Sequence, residues 1–461
     1  MVYATAAALA VALILFTWLG MRARVTDAGL DDYVTARNSQ GAQALGLSFL
    51  ASGMGAWILF APPEVGALVG PLALAGYAIG AALPFVVFAF CGPAIRRYLP
   101  AGRSIGEFAQ ACYGTVMRRW VALISVLYMV CFLIAELTAI GAITGLLSGL
   151  DGSVAILGVA IATLVYTAWG GLRASLVTDR WQALLLIALL AVVGIVGIQQ
   201  LPAMSQTAAL PDIPTGSALA VALTLVIAVT AANLFHQGYW QRVWSARDGA
   251  ELGRGALLGG LITVLVVVVV GGLGIVAAMS GTDLGSPPIP FFALLAGAPA
   301  WLSLLALVLA LTLVASSVDT LQNALASLAV TEKSGMSLTA ARWFIVILMI
   351  PAVLIALQGY SVLRLFLIAD LLCATAVVPV LLGLWSAMTT RAAIAGAVAG
   401  ILGAIAPGWL AGGSVAAGVM AASFPGGIPT LAPFAGALVA STLVSVMVAM
   451  LSRGRTWPPS A

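Results

Sequence analysis

Residues 51–66 read ASGMGAWILFAPPEVG. A long apolar segment enters, meets Gly53 and Gly55, and runs on into Pro62 and Pro63 with Glu64 at membrane depth. Proline has no amide hydrogen and disfavours helix in the residue before it, so the stretch reads as a broken helix. A break at the bilayer midplane frees carbonyls and amides that only protein or a water-filled cavity can satisfy. In transporters such breaks hold ions and substrate.

The rest of the chain fits a membrane setting for that break. Hydrophobic residues make up 62% of the 461 and charged ones 7%, against roughly 25% charged in soluble domains. The composition describes an all-α polytopic membrane protein and leaves no stretch for a soluble catalytic module. Glycine pairs such as Gly259-Gly260 and Gly271-Gly272 suit close helix packing. Cys91, Cys112, Cys131 and Cys373 have no metal-ligand spacing and imply no disulfide framework. The first apolar stretch lacks a leading charge and is followed by arginines, so it reads as a retained helix.

Runs of about 20 apolar residues mark transmembrane helices. They fall near 2–21, 43–70, 72–95, 120–148, 153–170, 175–199, 217–243, 253–279, 300–331, 340–360, 362–386, 392–411 and 431–452, thirteen transmembrane helices in all. Basic residues gather in alternate loops: Arg22, Arg24 and Arg37; Arg96, Arg97, Arg103, Arg118 and Arg119; Arg173 and Arg180; Arg242, Arg247 and Arg254; Lys333 and Arg342; Arg391; Arg453 and Arg455. Arg364 alone falls in the other set, whose loops carry Asp151, Asp212 and Asp283. The positive-inside rule makes the basic loops cytoplasmic, with the N-terminus outside and the C-terminus inside. The longest basic loop, 96–119, predicts a short helix around SIGEFAQACYG, and SPPIP at 286–290 predicts a turn into another. Net charge of +4 reflects the loop bias and implies no nucleic acid partner.

Spans two to six and seven to eleven overlay with opposite orientation. The first span of each set is anomalous: 51–63 is broken, and ANLFHQGYWQR at 232–242 places polar residues and Gly238 in a span. Paired interruptions point to an inverted-repeat transporter.

Ionisable residues inside spans are costly and read as functional by default. Six stand there: Glu64, Glu136, Asp179, His236, Asp319 and Asp370. Asp370, in FLIADLLC, reads first as a buried hydrogen-bonding group, Asp179 also as a helix cap, Glu64 also as a solvated group near the outer surface, and His236 also as a core histidine. Asp319 belongs to six polar groups in eight residues: Ser316, Ser317, Asp319, Thr320, Gln322 and Asn323. That density asks for a cavity or an ion. Sodium is hard and prefers oxygen; freed carbonyls and the Ser316-Ser317 hydroxyls supply a cage of low charge. No zinc pair, phosphate loop or nucleophile elbow is present, so the chain does not read as an enzyme.

Together these stretches resemble the sodium/solute symporter family, whose members take up proline, sugars, sialic acid, pantothenate, iodide or urea. The likeness rests jointly on ASGMGAWILFAPP, GPAIRRYLPAGRSIGEFAQACYG, YTAWGGLRASLVTDRWQ, WQRVWSARD and LVASSVDTLQNALAS and covers nearly the whole chain. It implies a leucine-transporter-type core of two inverted five-helix repeats, with 1–42 leading, 43–199 and 217–386 as the repeats, and 387–461 trailing, in one domain. It implies a sodium site from the carbonyls of Ala51, Met54 and Leu313 and the hydroxyls of Ser316 and Ser317, with Leu313 in place of the usual alanine. It implies a second site for a cation or a proton at Asp179, Ser316, Asp319 and Thr320; Asp319 replaces a serine there. Gly53 and Gly55 replace an aspartate and a serine of the proline-transporting branch, which argues against proline.

The expected function is sodium-driven import of a small solute across a bacterial inner membrane, without an obligatory protein partner. Trp57, Glu136, Asn233, His236, Gln237 and Gln322 are candidate solute contacts, chosen on depth and polarity. No lysine or arginine reads as midplane, so a neutral, zwitterionic or cationic solute is expected over an anion. A sensing subunit and a channel are the other readings. The chain ends at Ala461 soon after its last span, which reads as the absence of a fused output domain.

Overall fold

In the computed structural model, residues 2–22, 34–55, 57–199, 210–281, 283–284, 288–295, 299–332, 336–359, 362–425 and 429–452 are described. Arg24, Lys333, Arg453, Arg455, residues 286–287 of the predicted turn, and the side chains of Arg173 and Arg180 lie outside them. The elements are α1 (Val2–Arg22), α2 (Ala42–Gly53), α3 (Trp57–Leu68), α4 (Pro71–Tyr98), α5 (Ile105–Tyr113), α6 (Thr115–Ser148), α7 (Gly152–Gln199), α8 (Thr215–Leu234), α9 (Gln237–Ser245), α10 (Gly249–Met279), α11 (Pro290–Ala293), α12 (Ala300–Glu332), α13 (Leu338–Ala356), α14 (Val362–Ala374), α15 (Val377–Leu381), α16 (Thr390–Gly412), α17 (Val415–Ala422) and α18 (Leu431–Leu451). Among the described residues the only sheet-type pairing is one bridge, Gln40 to Ala246.

Among the described residues, ten helices are long and apolar enough to cross a membrane, and up to twelve spans result if each of two bent pairs counts as one. The apolar helix Gly152–Ala168 falls short of that measure and sits where the fifth span was expected. The short helices expected after spans three and eight are α5 and α11. Ser104 caps α5 by accepting from the Glu107 amide at 3.1 Å, while Glu107 accepts from the Arg103 amide at 2.7 Å, a reciprocal arrangement that satisfies otherwise orphaned donors. Helix α17 and a 45° bend between Arg364–Ala374 and Val377–Leu384 were not anticipated.

Three interruptions shape the core. The first separates α2 from α3 by a 69° bend between Gly53 and Trp57. Pro62 and Pro63 lie inside α3 rather than at the break. The glycines set the interruption, and the prolines leave the carbonyls of Ile58 and Leu59 without the donors that residues four further on would give. The second lies within α7 at Gly171, whose φ of 59° and ψ of −154° only glycine adopts cheaply. The third separates α8 from α9 at extended His236. Its freed carbonyls are taken by side chains: the Ser125 hydroxyl donates to Phe235 O at 2.7 Å and the Trp240 indole to Leu234 O at 2.8 Å.

Helix α10 supports the broken α2–α3 span along its length. The approach is so close that a Cβ on Gly274 would collide with the backbone of Pro63, and one on Gly66 with the Gly271 carbonyl. Small residues at such contacts let membrane helices gain dispersion energy that large side chains would prevent. Helix α12 is the most enclosed, with continuous burial from Leu309 to Leu328, and α6, α7 and α13 pack against it.

Candidate functional site

Helix α2 stops at Gly53, and Met54 takes φ −102° and ψ 89°. The Ile58 amide bonds Gly55 O at 3.3 Å rather than the Met54 carbonyl four residues back. Facing this break is the serine pair of α12. The Ser316 hydroxyl lies 3.4 Å from Ala51 O and 3.2 Å from Asp179 Oδ1, so its one proton serves either acceptor. The Ser317 hydroxyl is fully buried and has no partner among the described residues. A buried hydroxyl without a partner costs free energy. An oxygen-seeking cation could use the spare Ser317 hydroxyl beside Ser316 and Ala51 O.

Asp179 is fully buried and has a cation already. The Arg242 guanidinium lies 2.9 Å from its Oδ2, with both side chains at 0% exposure. Ser48 donates to the same oxygen at 2.8 Å, and Ser52 lies 3.3 Å from it. Arg242 also donates to Ser48 Oγ at 2.8 Å, to Gly238 O at 2.7 Å, and to Ser52 Oγ. This corrects the reading that basic residues keep to loops and helix ends. Arg242 lies on α9, which the break at 235–236 redirects into the core. Its charge is cancelled by Asp179, so it offers no free positive charge.

Asp319 sits within a collar of hydroxyls. Tyr166 donates at 2.6 Å, Ser175 at 2.7 Å, Thr178 at 3.3 Å and Thr320 at 3.4 Å. Ser175 and Thr178 precede Asp179 on α7, so the two carboxylates share one neighbourhood. Asp319 meets neutral donors where Asp179 meets a guanidinium.

The solute candidates divide. A cavity of about 40 Å³ is lined by Trp57, Tyr77, Tyr128, Phe132, Asn233 and Asp370, among others. Trp57 and Asn233 are on that wall. Trp57 donates to Gly53 O at 2.9 Å, joining the cavity to the break. Asn233 donates to Val229 O at 2.9 Å. The other four are elsewhere. Glu136 abuts the break, where a Cβ on Gly55 would run into its carboxylate. Gln237 is used up by Ile105 N at 3.0 Å, Arg103 O at 2.7 Å and Ser327 Oγ at 3.1 Å. Gln322 donates to Thr163 at 3.1 Å. His236 packs behind the wall, 6.1 Å from the Tyr128 ring and 5.9 Å from Phe132.

Asp370 was passed over as a mere hydrogen-bonding group, yet it lines the cavity and has no donor among the described residues. The signal was available: a lone carboxylate in an apolar run, in the last span of the second set.

The sodium:solute symporter family profile matches residues 33–403. The chain belongs to the sodium:solute symporter family. It is a membrane transporter and not an enzyme. The chain is similar in fold to a sodium-coupled sialic acid symporter solved substrate-bound and outward-open, with 17% identity, 98% of each chain covered and a TM-score of 0.76. A second likeness is to Mhp1, a nucleobase-cation-symport-1 family transporter solved with bromovinylhydantoin bound, with 14% identity, 90% and 93% covered and a TM-score of 0.60. The fold is therefore of the leucine-transporter type. Among curated proteins, the spermidine transporter DUR31 of Candida albicans is 28% identical over 362 residues, 77% of this chain and 69% of that protein.

Proposed function

We propose that this symporter couples inward sodium movement to import of a small neutral, zwitterionic or cationic solute by alternating access. The observation that carries the reading is the Ser316–Ala51 approach at 3.4 Å beside the break after Gly53, with the Ser317 hydroxyl buried and without a partner among the described residues. Sodium held by Ala51, Met54, Leu313, Ser316 and Ser317 ties the broken span to α12 and favours the outward-open state. Trp57 transmits that closure to the solute, since it bonds Gly53 at the break and lines the cavity. Residues 43–199 and 217–386 act as the two inverted repeats, each beginning with an interrupted span.

The cavity lining supports the solute's charge. It contains a carboxylate, an amide and aromatic rings, and no lysine or arginine. The buried Arg242 is matched by Asp179 and leaves no free positive charge for an anion. A relative named as a spermidine transporter agrees with this sign. Protein in liposomes should show uptake that needs an inward sodium gradient. Ser316→Ala with Ser317→Ala should abolish the sodium dependence. Unchanged sodium dependence in that double variant would remove the assignment.

A further inference from the structure

The cavity wall carries more than a preference against anions. Asp370 is 7% exposed, lines the cavity, and has no hydrogen-bond or ion-pair partner among the described residues. Rings surround it. Trp57 and Tyr77 stack at 5.7 Å with 15° between planes, Phe132 and Phe366 meet edge-on at 5.1 Å, and Tyr128 lies 5.9 Å from Phe132. A carboxylate withdrawn from water without a partner is costly, and a cation brought by a ligand relieves the cost. Aromatic faces attract the same cation through their quadrupoles. A bare metal ion gains little from such a wall, because it needs several oxygens. An ammonium on an apolar chain uses both the carboxylate and the rings.

A second carboxylate stands on the same helix face. Trp57 and Ala61 of α3 line the cavity. Glu64 is seven residues beyond Trp57, about 10 Å along the axis and about 20° around it. It is half-buried and also lacks a partner among the described residues. Tyr77, stacked on Trp57, lies within electrostatic reach of both Asp370 and Glu64. Asp370 lines the cavity and Glu64 is not among the lining residues, so the two acids are separate stations flanking Tyr77.

We propose that Asp370 and Glu64 bind the two ammonium groups of a short α,ω-diamine, Asp370 inside the aromatic cavity and Glu64 further along α3 toward Leu68. The proposal deepens the uptake reading and rests on it for the direction of movement, though not for binding itself. The test is equilibrium binding to purified protein of 1,4-diaminobutane, n-butylamine and butyramide, with sodium-dependent uptake in liposomes measured in parallel. The diamine should bind at least tenfold tighter than the monoamine, and the amide should not compete. Asp370→Asn should weaken both amines at least tenfold. Glu64→Gln should bring the diamine-to-monoamine ratio close to one. Melting temperatures report separately that each variant is folded. Butyramide competing as well as the diamine, Asp370→Asn binding amines like the parent, or an unchanged ratio in Glu64→Gln would each overturn the proposal. Diamine binding without sodium-driven uptake would leave these stations standing and remove the transport reading instead.

Discussion

Arg242 illustrates how one residue can be misread from its neighbours in sequence. WQRVWSARD ends a span, contains Arg247 and precedes Arg254, so loop charge accounts for it. Its partner Asp179 is 63 positions away, and nothing local announces the pair. Once buried, the two are mutually obligatory. A charge left alone there retains its desolvation cost and loses its compensation, so removing one partner typically costs about 3–5 kcal/mol. Arg242→Ala or Asp179→Ala should therefore lower the melting temperature sharply. Replacing the pair by apolar residues of similar volume, Arg242→Met with Asp179→Leu, should cost less than either single change. Single variants as stable as the parent would show that the pair is not closed in the membrane. Ser316 and Ser317 were legible for the opposite reason. Their chemistry lies in their own polar stretch, and the broken segment that faces them is equally conspicuous. Asp370 was visible as a residue but not as a site, because its aromatic surroundings come from α3, α4, α6 and α14.

At the scale of elements, apolar run length gave most spans to within a few residues, since a membrane helix must satisfy its own backbone. The breaks were harder to position. The proline pair drew the predicted interruption through residue 63, yet α3 contains both prolines and the chain opens between Gly53 and Trp57. Glycine without a side chain allows the opening, and the neighbours then fill the space where side chains would be. A Cβ at Gly53 would meet the Tyr239 hydroxyl, and one at Gly55 the Glu136 carboxylate. Gly55→Ala should thus displace either Glu136 or the unwound segment. Overpacking of this kind costs typically about 1–3 kcal/mol, and here it should also reduce sodium-dependent uptake severely. Gly216→Ala, which meets nothing within 4 Å, serves as the control. Equal uptake by the two variants would mean that the break tolerates a methyl group and does not depend on its glycines. Helix α17 left no comparable signal, being eight apolar residues among other small apolar ones.

For the whole molecule, the arginines assigned to alternate loops converge at one end of the bundle. Arg37 reaches Pro100 O at 2.8 Å, Arg96 reaches Asn38 at 2.9 Å and Ala246 O at 2.5 Å, Arg103 pairs with Glu107 at 2.8 Å, and Arg118 pairs with Glu332 at 3.0 Å. These contacts link the segment before α2 to the α4–α5 loop and the end of α4, the end of α4 to the end of α9, and the start of α6 to the end of α12. Loops far apart in sequence thus share one basic surface. Asp151 lies across the bundle, in the short turn between α6 and α7, and is fully exposed. The Ser153 amide donates to it at 2.9 Å and holds its carboxyl below the ordinary range, so it stays ionised throughout the physiological range. Translocating a basic loop is opposed more strongly than translocating an acidic one, so the arginine surface is predicted to face the cytoplasm. In a background with the four native cysteines replaced, Asp151→Cys should react with a membrane-impermeant maleimide added to intact cells. Arg119→Cys and Arg254→Cys should react only after the membrane is opened. The reverse pattern would invert the topology, and with it the side from which sodium and solute enter the cavity.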